Sequence, residues 1–167
     1  MQKMAAHFKD GRKRLTQKER GNNMAITQIS AFLENRPGSL YEALSKIKEA
    51  GVNIRALNVA ETKDFGILRI IVSDLEKTKE ALHEDVILKE TPVVAVRMDD
   101  QAGALKTVLE ALRTAEVNIE YVYAFTGSMQ GSAYVVFRVD DVEGAEKILA
   151  ESGVTTLNDE DMKGFLS

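Results

Sequence analysis

Sliding the sequence on itself by 65 positions lays Gly38, Leu40, Leu44, Ala50, Val52, Asn53, Ile54 and Gly66 on Gly103, Leu105, Leu109, Ala115, Val117, Asn118, Ile119 and Gly131. Eight identities at one offset, in the same order, identify an internal duplication. After a two-residue insertion in the second copy, Leu82 falls on Leu149. Whatever one copy folds into, the chain must contain it twice. At about 65 residues a copy has too little interior to be strongly stable alone, so each is expected to lean on the other.

Hydrophobic period assigns the same elements to both copies. In the first, Ile29, Ala31 and Leu33 alternate along a strand over 27–33, followed by turn chemistry at Asn35-Arg36-Pro37-Gly38. Leu40, Ala43, Leu44, Ile47 and Ala50 then form one helical stripe, closed by Gly51 at the C-terminal position that glycine prefers. Ser39-x-x-Glu42 has the form of a capping box, with Asn35 a competing cap. Strands over 52–60 and 66–73 flank the polar connection Glu61-Thr62-Lys63-Asp64, which reads as a hairpin. A helix over 74–82 and a short strand over 86–89 complete the copy. The second copy repeats the series at 93–98, 103–115, 117–125, 132–139, 142–150 and 154–157.

The order is βαββαβ twice, an α+β ferredoxin-like unit whose two helices cover one face of a four-stranded antiparallel sheet. The segments 66–72 and 133–139 are apolar on both alternating sets, whereas a sheet with one watered face should alternate. The face away from the helices is therefore expected to be covered, by the other copy, a second chain or a partner protein. The expected division is a basic segment over 1–23, units over 24–90 and 91–158, and a C-terminal tail over 159–167.

Composition removes many chemistries. The 167 residues contain no cysteine and two histidines, His7 and His83, which excludes disulfides, thiolate nucleophiles and multi-histidine metal sites. No apolar run approaches the ~18 residues of a membrane span and no secretory signal opens the chain, so a cytoplasmic protein with no membrane role is expected. Of the net charge of −4, residues 1–23 carry +5 and the remainder −9. The segment 1–23 is too polar to bury a core and reads as a disordered or loosely helical tail or an upstream extension, with Met24 a natural start for the folded part. An acidic body argues against nucleic acid as the main partner.

Two features carry chemistry. Arg36-Pro37-Gly38-Ser39-Leu40 leads into a helix N-terminus, where unpaired N–H groups and the positive end of the dipole hold an anion such as a carboxylate. Asn53 and Asn118 each sit between β-branched residues at the start of a strand, a position that disfavours asparagine. An amide there either grips a ligand's charged groups or closes a turn through nearby backbone, and the residues alone leave both open.

The string from Glu34 to Leu40 (Glu-Asn-Arg-Pro-Gly-Ser-Leu), followed by that from Lys48 to Ile54 (Lys-Glu-Ala-Gly-Val-Asn-Ile), resembles the ACT domain, in the version found at the C-terminus of phosphoglycerate dehydrogenases. The resemblance covers 25–157 as two tandem units. It implies a non-enzymatic regulatory protein that binds an amino acid or similar small effector, uses no cofactor or metal, and modulates a partner enzyme of amino-acid metabolism. It further implies side-by-side pairing of the units into one eight-stranded sheet, a homodimer, and effectors held where one unit's first loop meets its neighbour. By position, the implied contacts are Asn35, Pro37, Gly38, Ser39 and Asn53 in the first unit, with Asp100, Ala102, Gly103, Ala104 and Asn118 in the second. In such a site the effector's carboxylate lies at the Gly38 and Ser39 amides, its amino group lies near Asn35 or Asp100, and an asparagine bridges the interface. Leu33 stands where the dehydrogenase pattern has His, which argues against serine as effector, and the second loop, Asp99-Asp-Gln-Ala-Gly103, lacks the proline.

A second reading is a regulatory subunit that docks on a catalytic chain, as the small subunit of acetolactate synthase does. A third is an acylphosphatase-like hydrolase, which needs an arginine and an asparagine close together; Arg36 and Asn53 are its candidates. An RNA-recognition module of the same topology would stack bases on Phe32, or on Tyr134 and Phe137.

Overall fold

The computed structural model describes residues 25–62, 65–125 and 131–164; the basic segment 1–23 lies outside them. Its elements are β1 (Ile26–Glu34), α1 (Ser39–Glu49), β2 (Ile54–Glu61), β3 (Phe65–Val72), α2 (Leu75–Leu82), β4 (Ile87–Asp99), α3 (Ala104–Thr114), β5 (Ile119–Phe125), β6 (Ser132–Val139), α4 (Val142–Glu151), β7 (Thr155–Leu157) and α5 (Asp159–Gly164). The doubled βαββαβ series is therefore present. Ile29, Ala31 and Leu33 lie buried on one side of β1 against α1, as their alternation required.

The end of α1 shows how sequence sets local structure. Gly51, at φ 69°, donates to Lys48 O (2.9 Å), and Val52 N donates to Ile47 O (3.2 Å), the paired bonds of a Schellman stop. The second copy makes the same bonds, from Glu116 N to Arg113 O and from Val117 N to Leu112 O, but there a glutamate holds the left-handed conformation, at φ 56°. A side chain there costs about 1–2 kcal/mol, and glycine's extra freedom in the unfolded chain recovers about half of that. Glu116→Gly is therefore expected to stabilise the protein by about 0.5–1 kcal/mol in urea unfolding, with an unchanged m value. Asp74 and Asp141 cap α2 and α4, accepting from Lys77 N and Gly144 N at 3.0 Å each.

One expectation about the sheet is corrected. The strands anticipated at 86–89 and 93–98 are one continuous strand, β4, so the ladder has seven strands and not eight. The reason is local: Lys89-Glu-Thr-Pro-Val93 contains no glycine or turn dipeptide, and Pro92 pushes Thr91 toward extended backbone. The first half of β4 pairs with β1 and the second half with β6 and β7, all antiparallel.

Nor do the units lie side by side. The ladder runs β2-β3-β1-β4-β6-β5, so β1 and β5 are three strand spacings apart, about 14 Å along a flat sheet. Yet Gln28 of β1 touches Tyr121 and Tyr123 of β5, and Arg69 of β3 stacks its guanidinium 4.1 Å over the Tyr121 ring. The sheet curls so that the helix-free faces of the two units meet. Ile26, Ala56 and Ile71 of the first unit pack there with Tyr123, Tyr134, Val136 and Leu157 of the second. Of the three covers considered for that face, the other copy is the one found. Two further cores lie outside it, one under α1 and α2, the other under α3 and α4.

The central core contains a buried polar cluster. Gln28 is fully buried; its amide donates to Tyr121 Oη at 2.7 Å and Ser30 Oγ at 3.0 Å, and its carbonyl accepts from Tyr123 Oη at 2.9 Å. Burial pushes the Tyr123 phenol well above its ordinary pKa, so it stays a neutral donor. Segment 159–164, expected within a tail, is helical: Asn158 Oδ1 accepts from Glu160 N and Asp161 N, and Met162 enters the central core.

Candidate functional site

The two loops anticipated as ligand sites share a backbone and differ in charge. In each, a glycine at φ 93°, Gly38 or Gly103, turns the chain into the helix. Side chains rarely adopt that conformation, which explains why both copies have glycine there. Neither helix has a side-chain cap, so the capping box expected at Ser39 and Glu42 does not form. Glu42 is instead held by Arg36, whose Nη1 and Nη2 donate to its carboxylate at 3.0 and 2.6 Å while Nε donates to Glu34 at 2.9 Å. A two-point, charge-assisted contact outcompetes a cap made through a single neutral N–H.

The first loop is therefore self-neutralised. Its cavity, about 220 Å³, is lined by Glu34, Arg36, Ser39, Glu42, Lys46 and Asp85, among others. Both cations are paired, Arg36 as described and Lys46 with Asp85, and carboxylates outnumber them by one. The Arg36 hydrogen bonds hold the Glu42 carboxyl below its usual 4.5. A carboxyl depressed in the folded state contributes stability above its unfolded pKa and loses it as pH falls through the lower folded value. Glu42→Gln is thus expected to flatten the loss of stability below about pH 4.5, with no change at neutral pH beyond that of an exposed pair, as read by thermal unfolding across pH.

The second loop differs at the same positions. Aligned by the repeat, Phe32, Arg36, Tyr41 and Glu42 become Arg97, Gln101, Lys106 and Thr107. Its cavity, about 650 Å³, is lined by Arg97, Asp99, Gln101, Ala102, Gly103, Ala104 and Lys106, with Gly153, Val154 and Thr155 closing the far side. Among the described residues neither Arg97 nor Lys106 meets an acidic partner, so cations outnumber carboxylates here and the α3 N-terminus adds its positive end. Arg97 is half-buried in β4, opposite Tyr134 and Thr155. Sequence reasoning missed both cations. Their signal lay at the positions where the copies differ, whereas the repeat was read from those where they agree.

The structure brings Asn35, Pro37, Gly38 and Ser39 together in one exposed turn, and Asp100, Ala102, Gly103 and Ala104 in the other. It does not bring the asparagines to them. Asn53 follows the far end of α1, about 16 Å away along 11 helical residues, and lines a separate cavity with Leu44, Lys48 and Gly51. Asn53 N donates to Ser73 Oγ at 3.0 Å and Asn118 N to Asp140 Oδ1 at 2.9 Å, so each backbone is tied to the start of the following helical segment while its side chain is exposed. Arg36 and Asn53, at opposite ends of α1, cannot share a phosphate as an acylphosphatase requires. Tyr134 and Phe137 are fully buried and closed to base stacking. Among the described residues no cluster of acidic or histidine side chains has the form of a metal site, and no helix is long and apolar enough to cross a membrane.

A family model for the ACT domain pair matches residues 24–166. A crystal structure of a protein from Bacteroides thetaiotaomicron is 37% identical, with a TM-score of 0.77, covering 83% of this chain and 96% of that one. The regulatory subunits of aspartate kinase from Thermus thermophilus and Thermus flavus, 14% and 13% identical, superpose with TM-scores of 0.58 and 0.56, each over 78% of this chain and 94% of theirs. At those identities the Thermus likeness speaks to fold alone. No curated protein of established function matches the sequence.

Proposed function

The chain belongs to the ACT family as a fused pair of such domains, and on that premise we propose that it is a regulatory protein that binds a free amino acid at the second unit's loop and passes the binding on to a partner enzyme of amino-acid metabolism. The observation that carries this reading is the contrast between the loops. Only the second offers a roomy cavity with two cations not already held by carboxylates. The effector's carboxylate lies at the α3 N-terminus against Lys106, with Arg97 completing its charge, and Asp99 or Asp100 takes the ammonium group. Asn53 and Asn118 reach an effector only across a contact with a second copy of the chain, and a homodimer supplies it. The regulated activity belongs to the partner, and the coupling is no larger than the effector's preference for one of two states. Calorimetric titration of the full chain with each of the twenty amino acids tests the reading. Saturable binding of one or a few supports it, and heats no larger than dilution for all twenty reject it.

A further inference from the structure

The cavity before α3 carries one more positive charge than a neutral amino acid can satisfy. Of its lining side chains Arg97 and Lys106 are cationic and Asp99 is acidic, and the α3 N-terminus adds its positive end. An effector with one carboxylate and one ammonium group engages Lys106 and Asp99, and Arg97 is left over. The position does not itself require a charge, because its counterpart in the first copy is Phe32, which is half-buried as Arg97 is. Arg97 lies between Tyr134 on β6 and Thr155 on β7, and among the described residues its guanidinium joins no ion pair. A half-buried cation without a counter-charge costs free energy, and the chain carries one where its own first copy has an apolar ring. The lining offers no apolar pocket in competition. Val108 is buried, and Met98 and Val154 pack against the core under α3 and α4, so these three form the floor. The other neutral lining side chains larger than alanine are polar: Gln101, Thr107 and Thr155. About 650 Å³, the space of roughly twenty waters, leaves room beyond the α-carboxylate and ammonium groups for a side chain that ends in a second carboxylate.

We infer that the effector is an amino acid with an acidic side chain, held with its second carboxylate on Arg97; this rests on the reading of the α3 loop as the effector site. The probes are glutamate, glutamine, which lacks the second negative charge, and glutarate, which lacks the ammonium group, each titrated calorimetrically into the full chain at low ionic strength. Glutamate is expected to bind at least tenfold more tightly than either, and aspartate at least tenfold more tightly than asparagine. The margin is expected to narrow as salt is raised, because the charges involved are partly exposed. Arg97→Phe, which copies the residue of the first unit, is expected to erase the difference between glutamate and glutamine, whereas Arg97→Lys keeps the charge and part of the difference. Melting temperatures of both variants show that they fold. Glutamine or any other neutral amino acid binding as tightly as glutamate would overturn the inference and leave the α3 loop standing as the effector site. Glutarate binding as tightly as glutamate would also overturn it, since the site would then take dicarboxylates in general. A preference for glutamate that persists in Arg97→Phe would remove Arg97 from the site and overturn it as well. Binding by none of the twenty amino acids would overturn both this inference and the reading on which it rests.

Discussion

Replacing Gln28 with alanine is expected to destabilise the protein by about 3–4 kcal/mol, lowering its melting temperature by about 8–12 °C, more than any other single polar substitution considered. The side chain is fully buried, so its loss opens a cavity, and it also strands the Tyr123 hydroxyl, which donates to it in the central core. A buried donor without a partner costs about 1–3 kcal/mol, and the cavity supplies the rest. Gln28→Met, which keeps the volume and drops the amide, isolates the polar part. Adding Tyr123→Phe to Gln28→Met should then recover stability, since the stranded hydroxyl leaves with it, whereas Tyr123→Phe alone should destabilise. Strictly additive effects would mean that the units are joined by apolar packing alone. The cluster spans the two copies, so these variants measure how far one unit stabilises the other.

Lys106→Ala and Arg97→Ala are each expected to weaken effector binding about tenfold to a hundredfold, the size of one charged hydrogen bond of about 1.5–3 kcal/mol. Arg36→Ala, in the first loop, is expected to leave the affinity unchanged within about twofold. The difference comes from what each cation already touches. Arg36 is engaged by Glu34 and Glu42, so a ligand carboxylate arriving at Gly38 meets a neutralised guanidinium and two acids. Among the described residues Lys106 and Arg97 pair with no acid, so a carboxylate at Gly103 gains their charge without displacing another. Calorimetry on the three variants decides between the loops. A loss confined to Arg36→Ala would move the site to the first unit.

Much of this was written into the repeat. Identical residues at the 65-residue offset are those that set backbone: glycines at both helix starts, apolar residues on the stripes and asparagines at the strand entries. They specify two copies of one unit. How the copies join depends on residues without counterparts. Lys89-Glu-Thr-Pro-Val93 lacks a turn signal, and its extended path fuses two expected strands. Gln28, an isolated amide in an apolar strand, became legible only when Tyr121 and Tyr123 came across from the other copy. Helix α5 had a local signal, Asn158 before Asp159-Glu160-Asp161, the form of a cap followed by an acidic first turn. Charge at the sites was hidden for another reason: whether a cation is spent internally depends on what folds beside it, and Arg36 and Lys106 look alike in sequence.

Effector binding at the second loop and not the first is the premise of these expectations. It is tested most directly by backbone amide NMR of the full chain during titration with the amino acid that calorimetry selects. The amides of Gly103, Ala104 and Leu105 are expected to shift and saturate together at the calorimetric affinity, while those of Gly38, Ser39 and Leu40 stay within error of their ligand-free positions. Saturable shifts at Gly38 and Ser39 with Gly103 unmoved would place the effector at the first loop instead.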